Sequence, residues 1–128
     1  TVDAPQSIDR IIDVFPHGPQ QQIRIQLSQG IEAVISQTLL PRIDGGRIAA
    51  FEIMLASNII RTKIREAKIF DIPVTIEVST PEGMQTLDQA LADLVKRKVV
   101  KLEDAVIKCS NPVKLQQFLQ SHGEVVTS

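Results

Sequence analysis

At 128 residues, with 43% hydrophobic and 23% charged side chains, the chain has the composition of a globular domain that buries a core, which excludes a disordered segment. Fourteen Lys and Arg against fifteen Asp and Glu give a formal net charge of -1, so no global basic field draws the chain to nucleic acid or anionic lipid, and without Trp or Tyr it lacks an aromatic platform for stacking bases. A single cysteine, Cys109, excludes an internal disulfide and points to a reducing compartment, His17 and His122 lack metal-ligand spacing, and no apolar run approaches the roughly 20 residues that span a bilayer.

Taken in order, the elements are two helices, a hairpin and a run of helices. Ile8, Ile11, Ile12 and Phe15 recur at i, i+3, i+4 and i+7, which predicts an amphipathic helix ended by Pro16. After "PHGP", the stretch "QQQIRIQLSQ" predicts a second helix, with Ile23 and Leu27 one turn apart, closed near Gly30. Apolar stretches on either side of "DGG" predict a β-hairpin over about residues 33–55, because Gly45 and Gly46 accept positive φ without steric cost. Glu52, inside the second strand, shares a face with Ile48, Ala50 and Met54, so it belongs either at a solvated edge or beside a basic group.

The second half is predominantly helical by pattern. "SNIIRTKIREAK" predicts a helix capped by Ser57 or Asn58, with a narrow stripe of Ile60, Ile64 and Ala67 beside Arg61, Arg65 and Lys68. "DIPVTIEVS" alternates Val74, Ile76 and Val78 against Thr75, Glu77 and Ser79, which by pattern alone predicts a strand. "TPEGMQTLDQALADLVKRK" predicts an amphipathic helix with Thr80 as cap and Pro81 at its first position. "KLEDAVIK" and "NPVKLQQFLQSHG" complete the chain, the latter with Asn111 as cap, Pro112 first and Gly123 past the end.

The residues carry no self-sufficient catalytic set. No G-x-x-x-x-G-K-[ST] occurs, neither histidine pairs with a nucleophile by spacing, Cys109 reads as inert, and Asp88, Asp93, Glu103 and Asp104 read as solvated helix charges. No metal site is predicted.

The blocks "SIDRIIDVFP", "QQQIRIQLS", "VISQTLLPRIDGGR", "IIRTKIREAK" and "GMQTLDQALADLVKRK" occur in an order and spacing that resembles the PilT-type ATPases of type IV pilus retraction and twitching motility, hexameric secretion ATPases. The resemblance covers nearly the whole chain and implies an α/β fold, the C-terminal fragment of a RecA-like P-loop NTPase domain. On that basis residues 1–56 are the distal part of the ATPase core and residues 57–128 a C-terminal helical subdomain. In relatives a histidine box precedes the first helix, and "TVDA" matches its tail, so the box histidine would stand just before Thr1. The phosphate loop, the acidic Mg-associated motif and that histidine would then lie outside this chain. The chain alone is expected not to be an enzyme, with ATP and Mg held by the parent protein.

The resemblance further implies Thr1 and Arg10 near the nucleotide, although a plain solvent-facing Arg10 stands beside that reading. It implies a retraction-coupling motif of Ile60, Arg61, Ile64, Arg65 and Glu66, where Ile59, Thr62 and Lys63 depart from the usual residues. Here too a solvated basic face stands beside the functional reading, in which the two Arg reach a carboxylate on a neighbouring subunit or on the pilus platform protein of the inner membrane. The implied partners are the other subunits of a homo-hexamer and that platform protein, with no nucleic acid and no membrane insertion. The implied place is the cytoplasm, at the inner face of the bacterial cytoplasmic membrane. Relatives carry a helix-compatible sequence against "DIPVTIEVS", so family geometry implies a helix over residues 72–79 where pattern predicts a strand. The absence of a four-cysteine zinc module favours retraction over pilus-extension or type II secretion motors. A stand-alone, non-catalytic interaction module is the alternative without an ATPase parent.

Overall fold

The computed structural model describes residues 3–127, with side chains described as far as residue 120. The chain divides into two compact units, one of Thr1–Ser36 with Glu52–Gln85 and one of Gln37–Phe51 with Thr86–Ser128, each with its own apolar core. The divisions fall inside both strands of an antiparallel hairpin, β1 (Ala33–Pro41) and β2 (Arg47–Leu55). Its turn is closed by the Arg42 amide donating to the Gly46 carbonyl, with Gly45 and Gly46 at φ +106° and +76°, as the "DGG" sequence predicts.

In the first unit, α1 (Ala4–Asp13) buries Ile8 and Ile12 and leaves Ile11 half-exposed. Helix α2 (Gln20–Gly30) adds Ile23 and Leu27 to the same core, and α3 (Asn58–Arg65) adds Ile60 and Ile64, both 0% exposed. Helix α3 ends two residues before Ala67, the last member of its apolar stripe. Ala67 stands at φ +61°, its amide donates to the Ile64 carbonyl and the Lys68 amide to that of Lys63, a left-handed helix stop built without glycine.

Residues 72–78 correct the strand expectation. A 3-10 turn (Ile69–Asp71) leads into α4 (Ile72–Val78), in which Ile72 and Ile76 are fully buried while Val74 and Val78 are exposed. Ile69, Ile72 and Ile76 are spaced for one helical face. Burying an isoleucine fully contributes about 2–3 kcal/mol, whereas β-branched residues cost a helix only a few tenths each, so core burial outweighs local preference.

Thr80 does not start the next helix either. Thr80–Glu82 form a 3-10 turn, Gly83 takes φ +97°, and Gln85 exchanges two backbone hydrogen bonds with Ile53 of β2. In the second unit, α5 (Leu87–Lys96) starts instead at Thr86, whose hydroxyl accepts from the Gln89 amide while the Gln89 side chain accepts from the Thr86 amide. Leu91, Leu94 and Ala92 of α5 meet Ala105 of α6 (Leu102–Lys108) and Leu115 of α7 (Pro112–Thr127) in the second core. Asn111 caps α7 as expected, its Oδ1 accepting from the Val113 and Lys114 amides, but the helix continues through Gly123.

Candidate functional site

Helix α3 carries the sequence-predicted motif, and its sequence explains its shape. The Ser57 hydroxyl accepts from the Ile60 amide at 3.3 Å and starts the helix. Ile60 and Ile64, one turn apart, enter the first core and fix which face α3 turns inward. The polar members of the motif are thereby distributed over the remaining surface.

The two arginines do not share one environment. Arg61 folds onto the end of α2: its Nη1 donates to the carbonyl oxygens of Ser28 at 2.6 Å and Gln29 at 3.1 Å, and its Nη2 lies 3.8 Å from Glu32 Oε2. Those carbonyls belong to the last turn of α2, where no following amide is available and the helix dipole is negative, so a guanidinium is the fitting partner. Arg65 is exposed; its Nη2 reaches only its own helix, donating to the Thr62 hydroxyl at 3.3 Å, and it makes no ion pair among the described residues. The backbone around it is nevertheless held, because Gln21 Nε2 donates to the Arg65 carbonyl at 3.1 Å. Glu66 is exposed and pairs with Lys68 at 3.4 Å, while Lys63 pairs with Asp71 at 3.2 Å. Arg65 is therefore the motif's outward cation and Arg61 its internal latch.

The residues expected near the nucleotide lie at the start of the chain. Arg10 is exposed on α1, and Thr1 lies outside the described residues. The start of α1 is closely held by two acids. Asp3 Oδ1 accepts from the Gln6 amide at 2.8 Å, and Glu52 Oε1, on β2, accepts from the Ala4 amide at 2.6 Å. Glu52 is 7% exposed, so the solvated-edge alternative falls.

Asp88, expected to be a solvated helix charge, is a second buried acid. Asp88 is 5% exposed and its two oxygens accept from the Ser110 and Asn111 amides at 2.8 and 3.0 Å. Nothing near Asp88 in sequence announces partners 22 and 23 residues downstream. The Thr86-x-x-Gln89 capping box, by contrast, is written in the sequence and marks the start of α5. Burial, and then the Asp88 charge, push the Cys109 thiol above its ordinary range, so it stays protonated.

Among the described residues no three or more His, Cys, Asp or Glu side chains converge to hold a metal ion, and no helix is long and apolar enough to cross a membrane. An open depression beside α2, lined by Gly18, Pro19, Gln22, Ile25 and Gln26, offers neutral amides and no cation for a phosphate.

No family model matches the chain. It is 42% identical over 112 residues to the type IV pilus retraction ATPase PilT of Pseudomonas aeruginosa, covering 88% of this chain and 33% of that protein. It is likewise 42% identical over 112 residues to a twitching motility protein of Neisseria gonorrhoeae, covering 87% of this chain and 30% of the relative. The crystal structure of the pilus retraction motor PilT with bound ADP superposes with a TM-score of 0.78 at 39% identity, over 91% of this chain and 32% of that one. The ATPase DotB of Legionella pneumophila shares the fold alone, with a TM-score of 0.68 at 15% identity over 84% of this chain and 29% of that one. The mixed α/β arrangement is thus part of a RecA-like ATPase domain, and the chain spans about a third of the length of the curated relatives it matches. It belongs to the PilT-type family of type IV pilus retraction ATPases and corresponds to the C-terminal part of such a protein.

Proposed function

We propose that this chain serves as the C-terminal part of a hexameric motor that hydrolyses ATP to retract type IV pili, and that α3 passes the work of hydrolysis onward. The single observation that carries the coupling role is the division of labour on α3: Arg61 is latched to α2, whereas Arg65, one turn later, is held out with no acidic partner among the described residues. An exposed guanidinium on a helix whose other face is locked into a core suits contact with a carboxylate on a neighbouring subunit or on the inner-membrane platform protein. ATP and Mg are bound by parts of the protein outside this chain, and the motor works at the cytoplasmic face of the inner membrane through its partners. Exposed apolar side chains on the hairpin, among them Ile35, Leu39 and Phe51, suit packing against those other parts.

The test is Mg-dependent phosphate release by the complete gene product, beside a fluorescent-ATP titration of the 128-residue chain. Hydrolysis by the former without binding by the latter at millimolar nucleotide is the expected result. Saturable micromolar binding by the short chain overturns the assignment of the nucleotide site elsewhere. A pilus-extension or secretion motor is told apart by gene deletion, which removes fibres instead of leaving cells with unretracted ones.

A further inference from the structure

We infer that Glu52 is a positioning residue of the motor: it ties the start of α1 to strand β2. The inference rests on the motor reading above, with the resemblance that implies a nucleotide site near the start of α1.

The first turn of α1 shows why a distant carboxylate is needed. A helix start leaves its first amides without helical acceptors, and a buried one without a partner is costly. Pro5 has no amide hydrogen, the Gln6 amide is taken by Asp3 Oδ1 and the Ser7 amide by the Asp3 carbonyl. The Ala4 amide remains; Ala4 is fully buried, and Glu52 Oε1 accepts from it at 2.6 Å across 48 residues of sequence. An ordinary cap lies next to its helix in sequence and moves with it. Glu52 instead sits within β2, so the bond fixes where α1 begins relative to the strand.

A carboxylate suits the place for two reasons. The N-terminal end of a helix is electropositive, and an ionised acceptor makes a stronger bond to it than a hydroxyl does. The reach also matters, since Asp would be one methylene shorter. In a working motor, displacement of the start of α1 is then passed to the strand and is not lost by fraying of the first turn. Glu52 touches no reacting atom in this scheme; it sets the place of groups that do.

The experiment is steady-state ATP hydrolysis by the complete gene product carrying Glu52→Ala, Glu52→Gln or Glu52→Asp, with hydrogen–deuterium exchange of residues 3–13 read on the same samples. Glu52→Ala is expected to lower kcat about tenfold with KM for ATP changed less than about twofold, and to speed exchange at the start of α1. Glu52→Gln, whose amide oxygen still accepts from Ala4, restores most of kcat. Glu52→Asp keeps the charge, loses the reach and behaves like Ala, which keeps the test open should the alanine variant not fold. Wild-type kcat in a folded Glu52→Ala or Glu52→Asp protein overturns the inference, leaving Glu52 a role in folding alone. A wild-type product that does not hydrolyse ATP at all overturns the motor reading, and this inference with it.

Discussion

Each of the two compact units buries an acid whose oxygens accept backbone amides near a helix start, yet the acids do it from different kinds of element. In the unit containing α5 and α7, Asp88 sits in the first turn of α5 and accepts from Ser110 and Asn111, just ahead of α7. That tie joins the first turn of α5 to the segment between α6 and α7, and its evident consequence is a fixed bundle. In the unit containing α1 and α3, Glu52 sits on a strand and accepts at the first residue of α1. The same chemistry joins sheet to helix there. The comparison teaches that a buried carboxylate reports on what must not move, and that its element decides which motion it governs.

Substitutions can break this comparison, beginning with Asp88→Ala. It removes two charge-assisted bonds and leaves two amides to be rehydrated, so urea unfolding should lose about 3 kcal/mol, and Asp88→Asn, which keeps one acceptor, about half of that. Glu52→Ala should lose about 2 kcal/mol in the same assay, with the faster amide exchange confined to the start of α1. If the two losses unfold the chain in a single shared step, the units are not separable and the contrast between them fails.

Smaller effects sharpen it. Arg61→Ala should lose roughly 1–1.5 kcal/mol, since it frees two carbonyls at the end of α2, whereas Arg65→Ala should change stability by less than about 0.5 kcal/mol. Helices α3 and α5 both end on left-handed residues that are not glycine, Ala67 and Lys98, each at φ +61°. Ala67→Gly and Lys98→Gly should each raise stability by roughly 0.5–1 kcal/mol, read as a higher urea midpoint with unchanged slope. The smallest effect is at the hairpin turn. A side-chain hydrogen bond from Arg42, and then its charge, hold the Asp44 carboxyl below its usual range. That contribution is present above the ordinary carboxylate pKa and is lost as pH falls through the depressed one, so Asp44→Asn should flatten only the acid limb of stability against pH.

Much of this was legible in the sequence where a single period governs. Ile8 and Ile12, Ile60 and Ile64, and Leu91 and Leu94 announce buried helix faces, and Gly45-Gly46 announces the hairpin turn. At residues 72–78 pattern misleads, because alternation of Val74, Ile76 and Val78 imitates a strand, while the competing helical spacing of Ile69, Ile72 and Ile76 wins through core burial that the sequence does not display. Of the candidate site, the motif on α3 was legible but the unequal fates of its arginines were not. The acceptors of Arg61 are main-chain carbonyls of α2, which have no side-chain signature, and Glu52 and Asp88 likewise bind main-chain amides far away in sequence.

In the proposed motor Arg61 holds α3 in place while Arg65 passes on the work. The most direct test is pilus retraction in cells whose complete gene product carries Arg65→Ala, with ATP hydrolysis by the purified variant measured alongside. The expected result is a folded protein that hydrolyses ATP at close to the wild-type rate and does not retract pili. Wild-type retraction by the Arg65→Ala protein would contradict it.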